Sequence, residues 1–417
     1  MVFWCFRICT ILGKASEQVK ESGCENRKMS DMLDTNEETN WADQWDLAPG
    51  VTYLNHGSFG PPPRAVQRVR RQFQSQLDSQ PMEFFDRRYE EAWFGARDCL
   101  AQFVGADPRN LVFAENATSA MNIIARNLRL GPSDNVVLTD HEYGAVRRIW
   151  DRAADESGGA TVRIARLPVP VESSEQIVDA ILGATNQQTK LLVVSHITSA
   201  TAITLPVRDI VDAARRRGIM TCIDGPHAVA QLPLDLERLA SDFYCCSCHK
   251  WLCAPFGSGF LYVAPQHHEA IKPITLSWGR LPPAERRLWS DEFVWSGTRD
   301  PSAYFAIPAA IDFLRQVGLE GFRDGTHALA RYARGRLLEL VEGQPLVPDS
   351  SEWYGSMAHV PLPADRPADL QKRLWAEYGI EIPIPVWDDR PWIRVSCHLY
   401  NTRSDIDRLI DALRNLL

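Results

Sequence analysis

The chain has 417 residues, and its 45 Lys and Arg against 53 Asp and Glu give a net charge of −8 with neutral His. That acidic balance, with a pI near 5.7, excludes the basic face that nucleic acid or an anionic membrane demands. Ten cysteines in so long a chain are no disulfide framework, and no apolar run reaches the roughly 18 residues a spanning helix needs.

The first segment, Val2–Leu12, is apolar but is interrupted by Arg7, lacks a basic start and is followed by no small-residue cleavage site. It reads as an unstructured leader, with Met29 or Met32 as alternative starts, and the polar, aperiodic stretch 13–40 extends it as a disordered tail. With no targeting segment, the expected location is cytoplasmic. A short N-terminal segment, 41–64, follows.

Val66, Val69, Phe73 and Leu77 recur at helical spacing after the prolines 61–63, and Ala92, Ala96, Leu100 and Phe103 form a second stripe closed by Gly105. Short apolar runs then alternate with helical patterns. The runs are Leu111–Ala114, Val136–Leu138, Thr161–Leu167, Leu191–Ser195, Met220–Ile223, Phe243–Cys246 and Gly259–Val263. The helices fall around Ala120–Leu128, Ala145–Ala154, Ser174–Leu182 and Val207–Arg217. This rhythm predicts an α/β fold with a mostly parallel, seven-stranded sheet covered on both faces. The rhythm fades near residue 265; a long helical pattern spans Ser302–Val341, and the tail reads strand, helix, strand, helix. The expected organisation is a large α/β domain over 65–297 and a smaller C-terminal α+β domain over 298–417.

Ligands of an open parallel sheet sit at the carboxyl ends of its strands. After Leu111–Ala114 come Glu115, Asn116, Ala117, Thr118 and Ser119 at a helix start, where free N–H groups and hydroxyls form an anion cradle. An ordinary N-cap fits the same residues. After Met220–Ile223 comes Asp224, a carboxylate that is expensive to bury without a positive partner. After Phe243–Cys246 come Ser247, His249 and Lys250; desolvation of that lysine lowers its pKa toward use as an amine nucleophile. One chemistry unites these pieces: an aldehyde cofactor with a phosphate and a pyridine ring.

On these residues the chain resembles the class V aminotransferase family, fold-type I pyridoxal-phosphate enzymes, and within it the isopenicillin N epimerase-like branch. The segments that carry the resemblance are Tyr53–Gly60, Glu115–Asn122, Asp140–Ala145, Asp224–Ala228, Ser247–Trp251, Ser296–Ser302 and Arg394–Asn401. The resemblance implies pyridoxal 5'-phosphate held by Lys250 as a Schiff base, with Asp224 on the ring nitrogen and His227 on the phenolic oxygen. It implies Tyr143 stacked on the ring, and Ala117, Thr118, Ser247 and His249 around the phosphate. Thr298 would reach the neighbouring subunit's phosphate, which implies a homodimer, and Arg394 would clamp a substrate carboxylate. His56 is a candidate for the substrate side, and Trp278, Trp295 and Trp387 are candidates for its walls.

Two features depart from the wider family. Ser199 stands where relatives often place Asn, and 380–391 holds no cysteine for persulfide chemistry, Cys397 coming after Arg394. A metal cluster of Cys245, Cys246, Cys248, His249 and Cys253 lacks a second pair at zinc-like spacing. A nicotinamide site fails because Gly257 and Gly259 enter a strand instead of leaving one. The expected activity is removal of the Cα proton from an amino-acid or peptide-like small molecule, as in an epimerase. A C–S lyase acting by β-elimination is the first alternative and a transaminase the second.

Overall fold

The computed structural model describes residues 41–417 apart from Ala284, so the leader expected over 1–40 lies outside the described residues. All of the expected strands of the large sheet form. After a short strand β1 (Thr52–Tyr53), they are β2 (Leu111–Ala114), β3 (Asn135–Thr139), β4 (Thr161–Ala165), β5 (Thr189–Ser195), β6 (Met220–Asp224), β7 (Phe243–Ser247) and β8 (Gly259–Val263). Their order is β2-β8-β7-β6-β5-β3-β4, and only β8 runs antiparallel to its neighbours.

The burial of each strand follows from its place. β3, β6, β7 and β8 are apolar and buried along almost their whole length because helices cover both faces. At the sheet edge, β4 alternates exposed and half-buried residues. Successive residues therefore enter different cores. Val137, Leu192, Val194 and Cys246 face one, and Val136, Leu138, Leu191, Val193 and Cys245 face the other. This alternation sends Cys245 to one core, while Cys246, Cys248 and Cys253 lie in the other. The crossover helices are Ala117–Asn127, Gly144–Glu156, Ser174–Gly183 and Val207–Arg216, each close to its expected span.

The C-terminal part adds β9 (Met357–Pro361), β10 (Ile380–Glu381), β11 (Val386–Trp387) and β12 (Arg390–Ser396). β9, β12 and β11 form an antiparallel sheet in which Arg394 stands directly opposite His359. The helical pattern over 302–341 is not one rod. It is divided into Ser302–Phe305, Ile307–Val317 and Leu319–Val341, and Gly318 with φ +86° makes the second break, a conformation that side chains resist. Leu319–Val341 then packs on β9 and on the last helix, Arg403–Leu416.

The N-terminal segment joins this C-terminal part. β1 pairs in parallel with β10, and the N–H of Ser396 donates to the carbonyl of Leu54 at 2.9 Å. Asn55–Gly60 thereby runs as a strap between β12 and the loop after β7. No helix of the described residues is long and apolar enough to cross a membrane.

Candidate active site

The carboxyl ends of β2, β3, β5, β6 and β7 open on one edge of the sheet, and the strap and β12 face them. Lys250 lies in the loop after β7, with its Nζ 2.9 Å from Nε2 of His227. The indole N–H of Trp251 donates to Nδ1 of the same ring at 3.2 Å, so Nδ1 is the acceptor and Nε2 carries the proton. A ring N–H can meet Nζ only where the amine offers its lone pair, which is the nucleophilic form. Burial drives the Lys250 amine down from its ordinary value, and the Arg394 charge pushes the same way. Burial also raises the Asp224 carboxyl at the end of β6, while Lys250 draws it back.

The strand ends fix these groups. Gly225 permits the chain to turn over Tyr244, whose ring atoms would lie 2.1 Å from any Cβ placed there. The Tyr244 hydroxyl is paired with Nδ1 of His196 at 3.0 Å, and the N–H of His196 donates to the Asp224 carbonyl at 2.9 Å. The backbone that carries Asp224 is thus held from both sides.

At the start of the Ala117–Asn127 helix, the Ala117 N–H donates to Ser247 Oγ at 2.9 Å across 130 positions of sequence, and Asn116 caps the Ser119 N–H. The Ser247 hydroxyl keeps its own proton free, and Thr118 is exposed. His249 presents a buried Nδ1 with no hydrogen-bond partner, and burial lowers its pKa to about 4. Hydroxyl protons with nothing in the chain to receive them, set at a helix N-terminus, are the pattern of an anion site. A ring-nitrogen carboxylate, a lysine amine and this cradle suit an aldehyde cofactor bearing a phosphate and a pyridine ring.

Arg394 is buried, and burial lowers its pKa to about 10. Its Nη1 donates to the Ser199 carbonyl at 2.5 Å and its Nη2 to Ser58 Oγ at 2.6 Å, while Nε has no partner. Among the described residues no carboxylate pairs with it. A buried guanidinium held by neutral acceptors is a receptor for a carboxylate from outside. Ser199 holds Arg394 mainly through its backbone carbonyl, its hydroxyl lying 3.5 Å from the same nitrogen.

Several expectations are placed differently from the reading of the sequence. His56 has both ring nitrogens engaged, Nδ1 with the Tyr400 hydroxyl at 2.8 Å and Nε2 with the Lys250 carbonyl at 3.1 Å. It stacks on His398 at 3.8 Å, and burial lowers its pKa to about 3. In this arrangement both nitrogens are engaged, one of them on the backbone of the lysine loop. His56, Cys253 and His398 bring their ligand atoms within 4.8 Å of one another, yet Cys253 Sγ pairs with His398 Nε2 at 3.4 Å and both His56 nitrogens are engaged outside the trio. Tyr143, at the start of the Gly144–Glu156 helix, is 51 % exposed. Thr298 is exposed beside Arg299, which is tied to Glu115 at 2.9 Å. Trp387 lies against the ring of His141 at 4.3 Å, whereas Trp295 is core beside Tyr89 and Trp278 is 62 % exposed.

Sequence reasoning missed His141, Glu142 and His359. His141 is buried with Nδ1 on Thr201 Oγ1 at 2.7 Å and Nε2 unpaired. Glu142 is bonded to Thr139 and Ser195. Both stand in the segment Asp140–Ala145, directly before Tyr143. His359 is buried with both nitrogens unpaired and stacks on Trp392 at 4.3 Å. Only strand register sets it opposite Arg394.

Residues 55–409 match the family described as aminotransferase class-V. The chain is 37 % identical to the isopenicillin N epimerase of Amycolatopsis lactamdurans, over 91 % of this chain and 99 % of that one. It is 27 % identical to an L-cysteine desulfhydrase of Arabidopsis thaliana, over 88 % of each chain. In fold it resembles the cystine C–S lyase C-DES, solved with its product cysteine persulfide, at a TM-score of 0.77 and 21 % identity, covering 88 % of this chain and 98 % of that one.

Proposed function

The chain belongs to the class V aminotransferase family, and from that premise we propose that it is a pyridoxal-phosphate enzyme that removes the Cα proton of an amino-acid-type substrate, as an epimerase. The observation that carries this reading is the Lys250 amine, 2.9 Å from a ring N–H of His227. It stands half-buried among the charges of the buried Asp224 carboxyl and a buried Arg394 that has no carboxylate of its own among the described residues. The cofactor supplies, when bound, a ring that takes up the electron pair left at Cα.

This chain's own residues supply the rest. Asp224 holds the proton on the ring nitrogen. His227, with its proton on Nε2, would donate to the cofactor's phenolic oxygen. Ala117, Thr118, Ser247 and His249 hold the phosphate. Arg394 binds the substrate carboxylate and so orients the Cα–H bond toward Lys250 Nζ, which accepts the proton. His56, through the Lys250 carbonyl, keeps that amine in place. Epimerisation needs a second proton group on the opposite face; with both His56 nitrogens engaged, Tyr143 is the group we assign. The active unit we infer is a homodimer in which Thr298 approaches the partner's phosphate.

A C–S lyase acting by β-elimination is the second reading, because it requires Lys250 alone, and the desulfhydrase likeness supports it. The thiol of Cys397 is buried and pushed up in pKa, so it is no mobile sulfur nucleophile. The test has two parts. Reconstituted protein should be yellow, and borohydride should remove the band and fix the label on Lys250; a protein that stays colourless overturns the cofactor reading. In heavy water an epimerase incorporates deuterium at Cα with inversion and releases no keto acid. Keto acid with ammonia and a sulfur product would establish the lyase, and keto acid formed only with an amino acceptor the transaminase.

A further inference from the structure

Glu142 has no place in that account, yet its carboxyl beside the site is held by three hydrogen bonds. Its Oε1 receives the Thr139 hydroxyl at 2.7 Å and the Ser195 N–H at 3.1 Å, and its Oε2 lies 2.6 Å from the Ser195 hydroxyl. The direction of these bonds is largely fixed. The Ser195 backbone N–H can only donate, and the Thr139 hydroxyl, which accepts from the His141 N–H at 3.2 Å, and the Ser195 hydroxyl both donate to the ionised carboxylate. Ser195 is the strand partner of Asp224. The side chain thus ties the end of β3 to the end of β5 one strand away from the ring-nitrogen carboxylate.

We propose that Glu142 is a positioning residue for Asp224, a second carboxyl, half-buried and hydrogen-bonded, that holds the ends of β3 and β5 in register and places negative charge behind Asp224. This rests on the cofactor reading above. Asp224 is the charged neighbour of Glu142, Lys250 is that of Asp224, and Arg394 acts in turn on Lys250. The other titratable groups nearby are Asp140 and His141 on Glu142's own loop, His196 beside Ser195, and Tyr244 beneath Gly225. Burial holds the two histidines neutral and the phenol protonated. Asp224 is the charge that acts on Glu142, and together with burial it opposes ionisation, raising the carboxyl to about 7 against its hydrogen bonds. A cationic cofactor ring on Asp224 relieves that opposition.

The sign for stability follows. A carboxyl raised from 4.5 to about 7 binds its proton more tightly folded than unfolded, so stability falls as pH rises through that window. Glu142→Gln removes the group. In cofactor-free protein, the melting temperature of Glu142→Gln relative to wild type should therefore climb between pH 5 and pH 8 (a window set around that value). In reconstituted protein, the pH midpoint of the visible band should fall by roughly one unit, about tenfold in proton affinity, because a negative charge near the protonated form is lost. A purely structural glutamate would leave that midpoint where it was. An unchanged midpoint overturns the proposal. If no visible band forms in either protein, the cofactor reading fails instead, and the melting curves decide Glu142: a climbing difference sustains its buried ionisation and a flat one refutes it. Should Glu142→Gln not fold, Ser195→Ala removes the hydroxyl that donates to Glu142 and should lower the midpoint in the same direction; no shift there overturns the proposal equally.

Discussion

Arg394 and His359 face each other across two strands and differ in what they ask of a ligand. Arg394 offers an unpaired buried charge. Arg394→Ala should lower kcat/KM by about thirty-fold or more, corresponding to about 2 kcal/mol, because the substrate carboxylate loses its partner. Arg394→Lys keeps the charge but not the fork, and should fall between that variant and wild type. Steady-state kinetics on any accepted amino acid check both. His359 is different, since neither nitrogen has a partner and burial with the Arg394 charge keeps the ring neutral. His359→Phe retains the stack on Trp392 and removes both unsatisfied atoms. The cofactor-free variant should be more stable by about 1 kcal/mol in denaturant melts; a less stable variant would show that the imidazole has partners it keeps. The sequence made Arg394 and Lys250 legible because each stands in a recognisable segment at a strand end. It could not make His359 legible, since nothing in its neighbourhood reveals which residue of β12 it meets.

At the scale of elements, the turn after β6 is the tightest point of the site. Gly225→Ala places a methyl group on the Tyr244 ring. That would displace the tyrosine from His196 and shift the backbone of Asp224. The expected cost is about 3 kcal/mol, at the upper end for overpacking, with weaker cofactor retention measured by dialysis and absorbance. A variant with wild-type melting and retention would refute this account of the turn. The strands of the large sheet were legible because helices cover both faces and each run is simply apolar. The two-residue strands β1, β10 and β11 were not, because they exist through their partners and not through any local pattern. The division of the 302–341 helix was half legible: Gly318 is the kind of residue that ends a helix, yet the apolar stripe runs straight through it.

For the whole molecule, the decisive expectation is shared active sites. Mixing Lys250→Ala subunits with Thr298→Ala subunits should restore about a quarter of the sites to wild type, since only mixed dimers regain one complete site. Activity rising above the sum of the separate variants checks this. A mixture no better than that sum, or a monomer of 47.0 kDa with full activity, would rule it out.

The strap Asn55–Gly60 also imposes an order of events on the newborn chain. It leaves the ribosome among the first of the described residues, but what it grips is made late. His56 binds the lysine loop 194 positions on and the Tyr400 hydroxyl 344 positions on, and Leu54 receives Ser396. Contacts of such separation close slowly and only after both partners exist. Every side chain proposed to hold the phosphate and the ring is synthesised well before Tyr400, yet the loop that carries the lysine is not pinned from behind until the last turns of the protein emerge. Capture of the cofactor is therefore an act of the finished polypeptide, and a chain released a few residues short of Tyr400 would own the whole chemistry of the site without the brace that keeps it aimed.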